Sequence, residues 1–309
     1  MHALDQLQLS FDPNMLAFIN WMLALVMFGV ALDLTPADFT RVLRRPRAPA
    51  VGLMCQFLLM PALATALLAV IQPPPSIALG ILLIASCPGG NVSNFLTSLA
   101  GGHAAVSVSM SAISTLAAIV MTPLNFGFWS QLLPGTAALM REIHLAPLDI
   151  VSSVLVILIL PSALGMLLAH RWPALARRLR RPMQVFSMLV LFGFIGGALS
   201  ANWQVFMTWV GAAFWIVLLV NVSGLALGYG LARAVRLPVA DAKAVCFETG
   251  IQNSGFGLLL VFQFFGGLGG MAIIAAWWGI WHLLSGLTLA LLWAAQRRRA
   301  ARHEAVVAL

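Results

Sequence analysis

Nine apolar runs, each near the roughly 20 residues that a helix needs to cross a bilayer, constrain this 309-residue chain more than any other feature. They lie near 14–34, 48–70, 76–100, 104–132, 147–170, 183–201, 206–232, 241–265 and 270–295. Pro-Pro-Pro at 73–75 and the Gly-rich stretch 266–270 mark two tight connections. Apolar residues make up 61% of the chain and charged residues 8%, so it cannot cover a soluble surface and must take hydrocarbon as its solvent. The expected fold class is an all-α polytopic membrane protein of nine transmembrane helices, forming one membrane domain over 1–309. The stretch before the first run holds Asp5 and Asp12 and no basic residue. It lacks the positive start of a cleavable signal, so the first span is expected to be retained. Cys55, Cys87 and Cys246 all fall inside apolar runs, without the spacing of a zinc site or a disulfide framework.

Charge sets the orientation. The formal net charge is +8, from 17 basic and 9 acidic residues. Alternate connections on one side carry Arg41, Arg44, Arg45, Arg47, Arg171, Arg177, Arg178, Arg180, Arg181, Arg233, Arg236, Lys243, Arg297, Arg298, Arg299 and Arg302; the other side carries Arg141. The positive-inside rule puts the first group in the cytoplasm. The N-terminus is then outside and the C-terminus inside, as an odd number of spans requires. The basic residues sit between apolar runs and form no docking face for nucleic acid. Anionic lipid headgroups are the partner they fit, and no obligate protein partner is implied.

Within the spans, Glu248 is the exception. Asp33, Asp38, Asp149 and Asp241 lie near span boundaries and Glu304 in the tail. A charged group near a helix centre costs about 2.5–3.5 kcal/mol even on lenient insertion scales. No Arg or Lys lies deep in the spans to pair with it, which leaves a bound cation, a proton or water. Span eight reads Glu248-Thr249-Gly250-Ile251-Gln252-Asn253-Ser254-Gly255, two glycines and several polar residues in about two turns. Span three carries a matching interruption, Cys87-Pro88-Gly89-Gly90-Asn91-Val92-Ser93-Asn94. Proline there removes a backbone donor and clashes with the preceding turn. Broken helices in corresponding halves of a chain point to a transporter binding site. These two enter from opposite faces, as an inverted repeat requires.

Ser107, Ser111, Ser114 and Thr115 share one face of span four, and Gln56 lies in span two. At 1.5 Å per residue, Glu248, Gln56, Ser93 and the Ser107–Ser111 pair fall roughly 5–12 Å from the cytoplasmic ends of their spans. Asn91 and Asn253 are expected deeper, with His282 near the midplane. A cation site below substrate-binding polar groups is the simplest stack. Asn91-Val92-Ser93 and Asn221-Val222-Ser223 match a glycosylation sequon, but both lie inside spans.

The segments M-F-G-V-A-L-D-L at 27–34, C-Q-F-x-x-M-P at 55–61, C-P-G-G-N-V-S-N at 87–94, S-x-S-M-S-x-x-S-T-L at 107–116 and E-T-G-I-Q-N at 248–253 resemble the bile acid:sodium symporter family. The likeness is to the nine-helix form and to bacterial members. It implies a panel domain of spans 14–34, 147–170 and 183–201. The core domain would hold spans 48–70, 76–100, 104–132, 206–232, 241–265 and 270–295, with spans three and eight crossing at their breaks. It implies two co-transported sodium ions. The first would be held by Ser93, Asn94, Ser107, Ser111 and Glu248. The second would be held by Gln56, Glu248, Gln252 and the backbone at Thr249 and Ile251. Hard oxygen ligands suit such a cation. Substrate would be handled at Asn91, Val92 and Asn253, with His282 nearby. Asn91-Val92 stands where many relatives have Thr-Ala, Ser111 where many have Thr, and His282-Leu283 where bacterial relatives often have His-Asn.

The expected activity is sodium-coupled import of an organic anion, bile acid-like or a small carboxylate such as pantoate, by alternating access across a bacterial inner membrane. Free N–H groups at 90–94 would meet the anion. The alternative is a related proton-coupled efflux protein for metalloid oxyanions, whose broken helix has a Cys where Cys87 stands. An enzyme is not expected, because the spans hold no pair of acids and no H-E-x-x-H.

Overall fold

The computed structural model describes residues 5, 15–32, 40, 42–90, 92–142, 147–201 and 203–307. Asp33, Asp38, Arg41 and Asn91 lie outside the described residues. The fold is all-helical, with no β-strand among those residues. We number the helices α1 (Met15–Leu32), α2 (Arg47–Ile71), α3 (Pro75–Ser86), α4 (Val92–Leu99), α5 (Ala104–Trp129) and α6 (Pro134–Glu142). They continue as α7 (Pro147–Arg171), α8 (Pro173–Ala201), α9 (Trp203–Ala234), α10 (Val239–Gly250), α11 (Ser254–Phe265) and α12 (Gly269–Val307). Among the described residues, four stretches are long and apolar enough to cross a membrane: Arg47–Ile71, Ala104–Trp129, Ala213–Ala234 and Gly269–Arg299.

Both expected breaks are present. Span three is interrupted between α3 and α4, and span eight between α10 and α11. Other boundaries differ from the hydropathy reading. The run expected at 183–201 is the end of the longer α8, so Arg177, Arg178, Arg180 and Arg181 are helical rather than in a connection. Proline suits the first turn at Pro173, and Arg is a good helix former, so the helix outruns the apolar segment. The last helix likewise runs on to Val307. The run expected at 104–132 ends at Trp129 and is followed by the short helix α6.

Two groups of helices are tightly packed. α1 lies against α7 and α8. Its approach to α7 is close because of Gly165, where a Cβ would stand 2.6 Å from the Phe28 carbonyl oxygen. The main apolar cluster joins α2, α3, α11 and α12 through residues such as Met60, Ile81, Ile84, Phe256, Phe262, Ile274 and Trp278. A Cβ on Gly80 would lie 2.9 Å from the Met271 Cα, so α3 and α12 also meet nearly backbone to backbone.

Polar contacts sort the connections onto two ends. At one end, Arg47 donates to the Val235 carbonyl (2.6 Å), Lys243 to the Ala100 carbonyl (2.8 Å) and Arg180 to the Leu32 carbonyl (2.9 Å). His103 and Asp241 pair there at 2.8 Å. At the other end, Asp5 accepts from the Ser76 N–H (2.8 Å), and Gly135 lies against Pro75. Each contact joins connections that the charge pattern assigns to the same side.

Candidate functional site

The two breaks face and pair with each other. The Gly90 N–H donates to the Ile251 carbonyl (2.8 Å), the Asn253 N–H donates to the Pro88 carbonyl (2.9 Å), and Gly89 and Gln252 form an isolated antiparallel bridge. Each helix interruption leaves backbone groups without helical partners, and inside a membrane such groups must be satisfied by protein. Here the two interruptions satisfy one another. The free N–H groups expected at 90–94 are correspondingly fewer: Gly90 bonds to Ile251, and the Ser93 N–H bonds to the Gly90 carbonyl at 2.8 Å.

Glu248 sits in the last turn of α10, 1% exposed, and turns its carboxylate toward α4 and α5. Ser93 donates to Oε2 at 2.6 Å, Ser111 to Oε2 at 2.9 Å, and Ser114 to Oε1 at 3.2 Å. Ser111 also lies 3.2 Å from the Asn94 Oδ1. The other oxygen, Oε1, lies over Gly89, so closely that a Cβ on that residue would overlap it. The glycine is therefore needed for space: the carboxylate fills the volume a side chain would take. Of the first expected ligand set, the structure brings Ser93, Asn94 and Ser111 around Glu248. Ser107 is buried nearby and accepts from Thr97 at 3.3 Å, and no hydrogen bond among the described residues joins it to Glu248.

The second set gathers on the other break. Gln56 donates through Nε2 to the Cys87 carbonyl (2.5 Å) and to the Gln252 Oε1 (2.8 Å), and the Gln252 Nε2 donates to the Thr249 carbonyl (2.7 Å). The Ile251 carbonyl is engaged by Gly90. Gln56 stands in a π-helical turn, Cys55–Leu59, inside α2. The Met60 N–H bonds to the Cys55 carbonyl, and Pro61 has no N–H to offer. The Gln56 backbone carbonyl is thus left without a helical donor at either spacing. Single π turns of this kind often mark functional positions.

The expected substrate residues are less concentrated. Val92 begins α4, half-buried against the cluster of Leu96, Phe247 and Ile251. The Asn253 side chain caps α11, accepting from the Phe256 N–H at 3.0 Å. His282 is 5% exposed, and its Nδ1 has no hydrogen-bond partner among the described residues. No hydrogen bond joins it to Val92 or Asn253 among those residues. One turn on, Gly286 of α12 meets Leu96 and Ile251.

Two features went unread in the sequence. Ser114 belonged to the hydroxyl stripe but not to a proposed ligand set, although i, i+3 spacing from Ser111 puts it on the same face. Asn221, fully buried on α9, donates to the Gly250 carbonyl (2.8 Å) and accepts from Ser285 (2.6 Å). It ties the end of α10 to α9 and α12, and the sequence marks it only by its sequon.

Residues 20–209 match the family model described as "Sodium Bile acid symporter family". The chain belongs to that family. It is 30% identical over 277 residues to the Bacillus subtilis protein named "Uncharacterized sodium-dependent transporter YocS", covering 90% of this chain and 83% of that protein. It is 32% identical over 237 residues to the human "Ileal sodium/bile acid cotransporter", covering 75% of this chain and 65% of that one. It is also 30% identical over 281 residues to the Arabidopsis thaliana "Probable sodium/metabolite cotransporter BASS1, chloroplastic", covering 89% and 67%. The family model ends before Glu248, but a match over 90% of the chain takes in Glu248 wherever its ends fall. The family is one of transporters, in keeping with the apolar helices of this integral membrane protein.

Proposed function

We propose that this protein is a sodium-coupled symporter importing an organic anion, bile acid-like or a small carboxylate such as pantoate, with two sodium ions per cycle. One observation carries the reading: Glu248 is buried where the two helix breaks meet, ringed by three hydroxyls, with no Arg or Lys bonded to it among the described residues. An isolated carboxylate in a low-dielectric interior is strongly disfavoured unless a positive charge joins it. Hydroxyl, amide and carbonyl oxygens are the ligands that a hard alkali cation takes.

The first ion would bind among Ser93, Asn94, Ser107, Ser111 and Glu248. The second would bind among Gln56, Glu248, Gln252 and the Thr249 and Ile251 carbonyls. For the second, the paired glutamines must turn amide oxygens toward the ion, exchanging their mutual bond for coordination. The names of relatives from Bacillus subtilis, human and Arabidopsis, each including sodium, support this choice of ion. Substrate would meet the protein at Asn91, Val92 and Asn253, beside the breaks, with His282 reaching it from α12. The packing of α1 on α7 and α8 supports a panel moving against the remaining helices in alternating access. Nine spans, an inverted repeat, and an N-terminus outside the bacterial inner membrane complete the proposal. The metalloid alternative is disfavoured by Cys87, fully buried in the main apolar cluster with its thiol near Gly257.

The test is a thermal-shift screen of organic anions with and without sodium, followed by uptake into proteoliposomes. A ligand that binds the folded state stabilises it, and sodium should raise the affinity of the true substrate. Glu248→Gln should fold yet lose both sodium-dependent stabilisation and uptake. Two sodium ions with one monovalent anion carry one net charge inward, worth about 2.3 kcal/mol per 100 mV. An inside-negative potassium diffusion potential should therefore speed uptake. Uptake of a monovalent substrate that ignores the potential would remove the two-ion stoichiometry.

A further inference from the structure

We propose that Ser114 is a positioning residue that fixes one oxygen of the Glu248 carboxylate, dividing that carboxylate between the two sodium sites. The inference rests on the reading of Glu248 as a shared cation ligand.

The geometry around the two oxygens is unequal. Ser93 and Ser111 both donate to Oε2, on the side of Asn94. Oε1 lies over Gly89, in the break whose Cys87 carbonyl receives Gln56 and whose Gly89 bridges to Gln252. Oε2 therefore faces the hydroxyl cluster, and Oε1 faces the break that carries the amide cluster. Among the described residues, the side-chain donor to Oε1 is Ser114. It comes from α5, the helix of the hydroxyl cluster, yet it holds the oxygen turned to the other break.

A carboxylate rotates easily about its last torsion, which has a broad, twofold preference. Two donors on Oε2 alone would leave its plane free to turn. A third donor on Oε1 removes that freedom. Ser114 has a single proton and two acceptors at 3.2 Å, the Glu248 Oε1 and the Ser111 carbonyl. Bonding to its own helix is the ordinary habit of a buried serine, whereas an ionised oxygen is the stronger acceptor. The hydroxyl can thus hold Oε1 while the pocket is arranged and retain a local partner if the carboxylate shifts. Ser114 is not placed as a sodium ligand. It acts through Glu248.

The test uses the purified full-length protein in detergent. Thermal stability is followed against sodium concentration, with choline replacing sodium at constant ionic strength. Ser114→Ala should raise the sodium midpoint about three- to tenfold, the range expected for losing one ordinary net hydrogen bond while Ser93 and Ser111 still hold Oε2. Melting in choline should fall modestly, because a buried carboxylate oxygen loses its donor, and the sodium midpoint is read apart from that fall. Ser114→Thr, which keeps the hydroxyl, should bring the midpoint back to within about twofold. Ser109→Ala is the control, since that buried hydroxyl of α5 donates to the Ala105 carbonyl (2.8 Å); its midpoint should not move. A wild-type midpoint in Ser114→Ala, with Glu248→Gln unresponsive to sodium, overturns the role of Ser114 and leaves the sodium reading standing. A normal sodium response in Glu248→Gln overturns both. If Ser114→Ala does not fold, Ser114→Cys, slightly larger and a weaker donor, must show the same shift; a wild-type midpoint there overturns the proposal.

Discussion

The polar groups at the crossing fall into two clusters built from different chemistry. Around Glu248 the partners are hydroxyls: Ser93, Ser111 and Ser114, with Asn94 behind Ser111. On the other break they are amides and carbonyls: Gln56 and Gln252 bonded to each other and to the Cys87 and Thr249 carbonyls. A hydroxyl can turn its lone pairs to a cation while keeping its proton on the carboxylate, so the first cluster is ready to bind with little rearrangement. An amide has fixed donor and acceptor ends. In the second cluster both amide nitrogens are committed and the Gln252 oxygen already accepts from Gln56, so neither side chain can turn to an ion without disturbing those bonds. Two sites sharing one carboxylate are therefore unequal, and the hydroxyl cluster should fill first.

The largest effect should come from removing what the two clusters share. Gly89→Ala would put a methyl group where Glu248 Oε1 lies, 2.6 Å from the carboxyl carbon. Overpacking in a fitted interior costs about 1–3 kcal/mol, occasionally more. Here it would also push the carboxylate off both clusters and strain the pairing of the breaks. The expected outcome is a protein less stable in choline, with no sodium-dependent stabilisation and no uptake. Retained sodium dependence would mean that Glu248 has room to move, and the shared-carboxylate geometry would have to be redrawn.

A narrower substitution separates the clusters. Gln252→Ala removes both of its amide contacts and leaves the hydroxyls around Glu248 untouched. It strands a donor on Gln56 and the Thr249 carbonyl, each at a cost of about 1–3 kcal/mol. Sodium activation of uptake should lose its cooperativity, with the Hill coefficient falling toward one, while sodium-dependent stabilisation survives in part. Full loss of stabilisation would mean that the amide cluster, not the hydroxyl cluster, fills first.

What the sequence conveyed of this arrangement followed the cost of each residue in a membrane. Pro88-Gly89-Gly90 inside an apolar run has few uses other than a break, and Glu248 in a span has few uses other than a site. Both were therefore legible. The pairing of the breaks was not, because the Gly90-to-Ile251 bond joins backbone atoms and leaves no side-chain signature. The π turn at Gln56 had a sequence cause in Pro61, but a proline at that distance is equally compatible with an ordinary kink. Hydropathy found the apolar lengths but not where helices end, which is why the Arg-rich start of α8 and the short helix α6 were missed. Asn221 was hidden by its ordinariness: a lone buried amide looks the same in sequence whether it packs or binds.

Asn221 offers the smallest and most diagnostic perturbation. Its amide holds the Gly250 carbonyl, the last residue of α10, and Ser285 of α12 in turn donates to it. Gly250 lies two residues from both Glu248 and Gln252, yet its carbonyl belongs to neither cluster. If the two clusters are self-contained, Asn221 is a brace for the helix end and nothing more. Asn221→Ala then leaves one buried carbonyl without its donor, costing about 1–3 kcal/mol of stability. Melting in choline should fall, while the sodium midpoint moves by less than about threefold. A larger shift, or a gain in sodium affinity, would mean that the freed Gly250 carbonyl can turn to an ion. The boundary between brace and site would then run through the α9 face of the break, and the two-cluster division would need a third member.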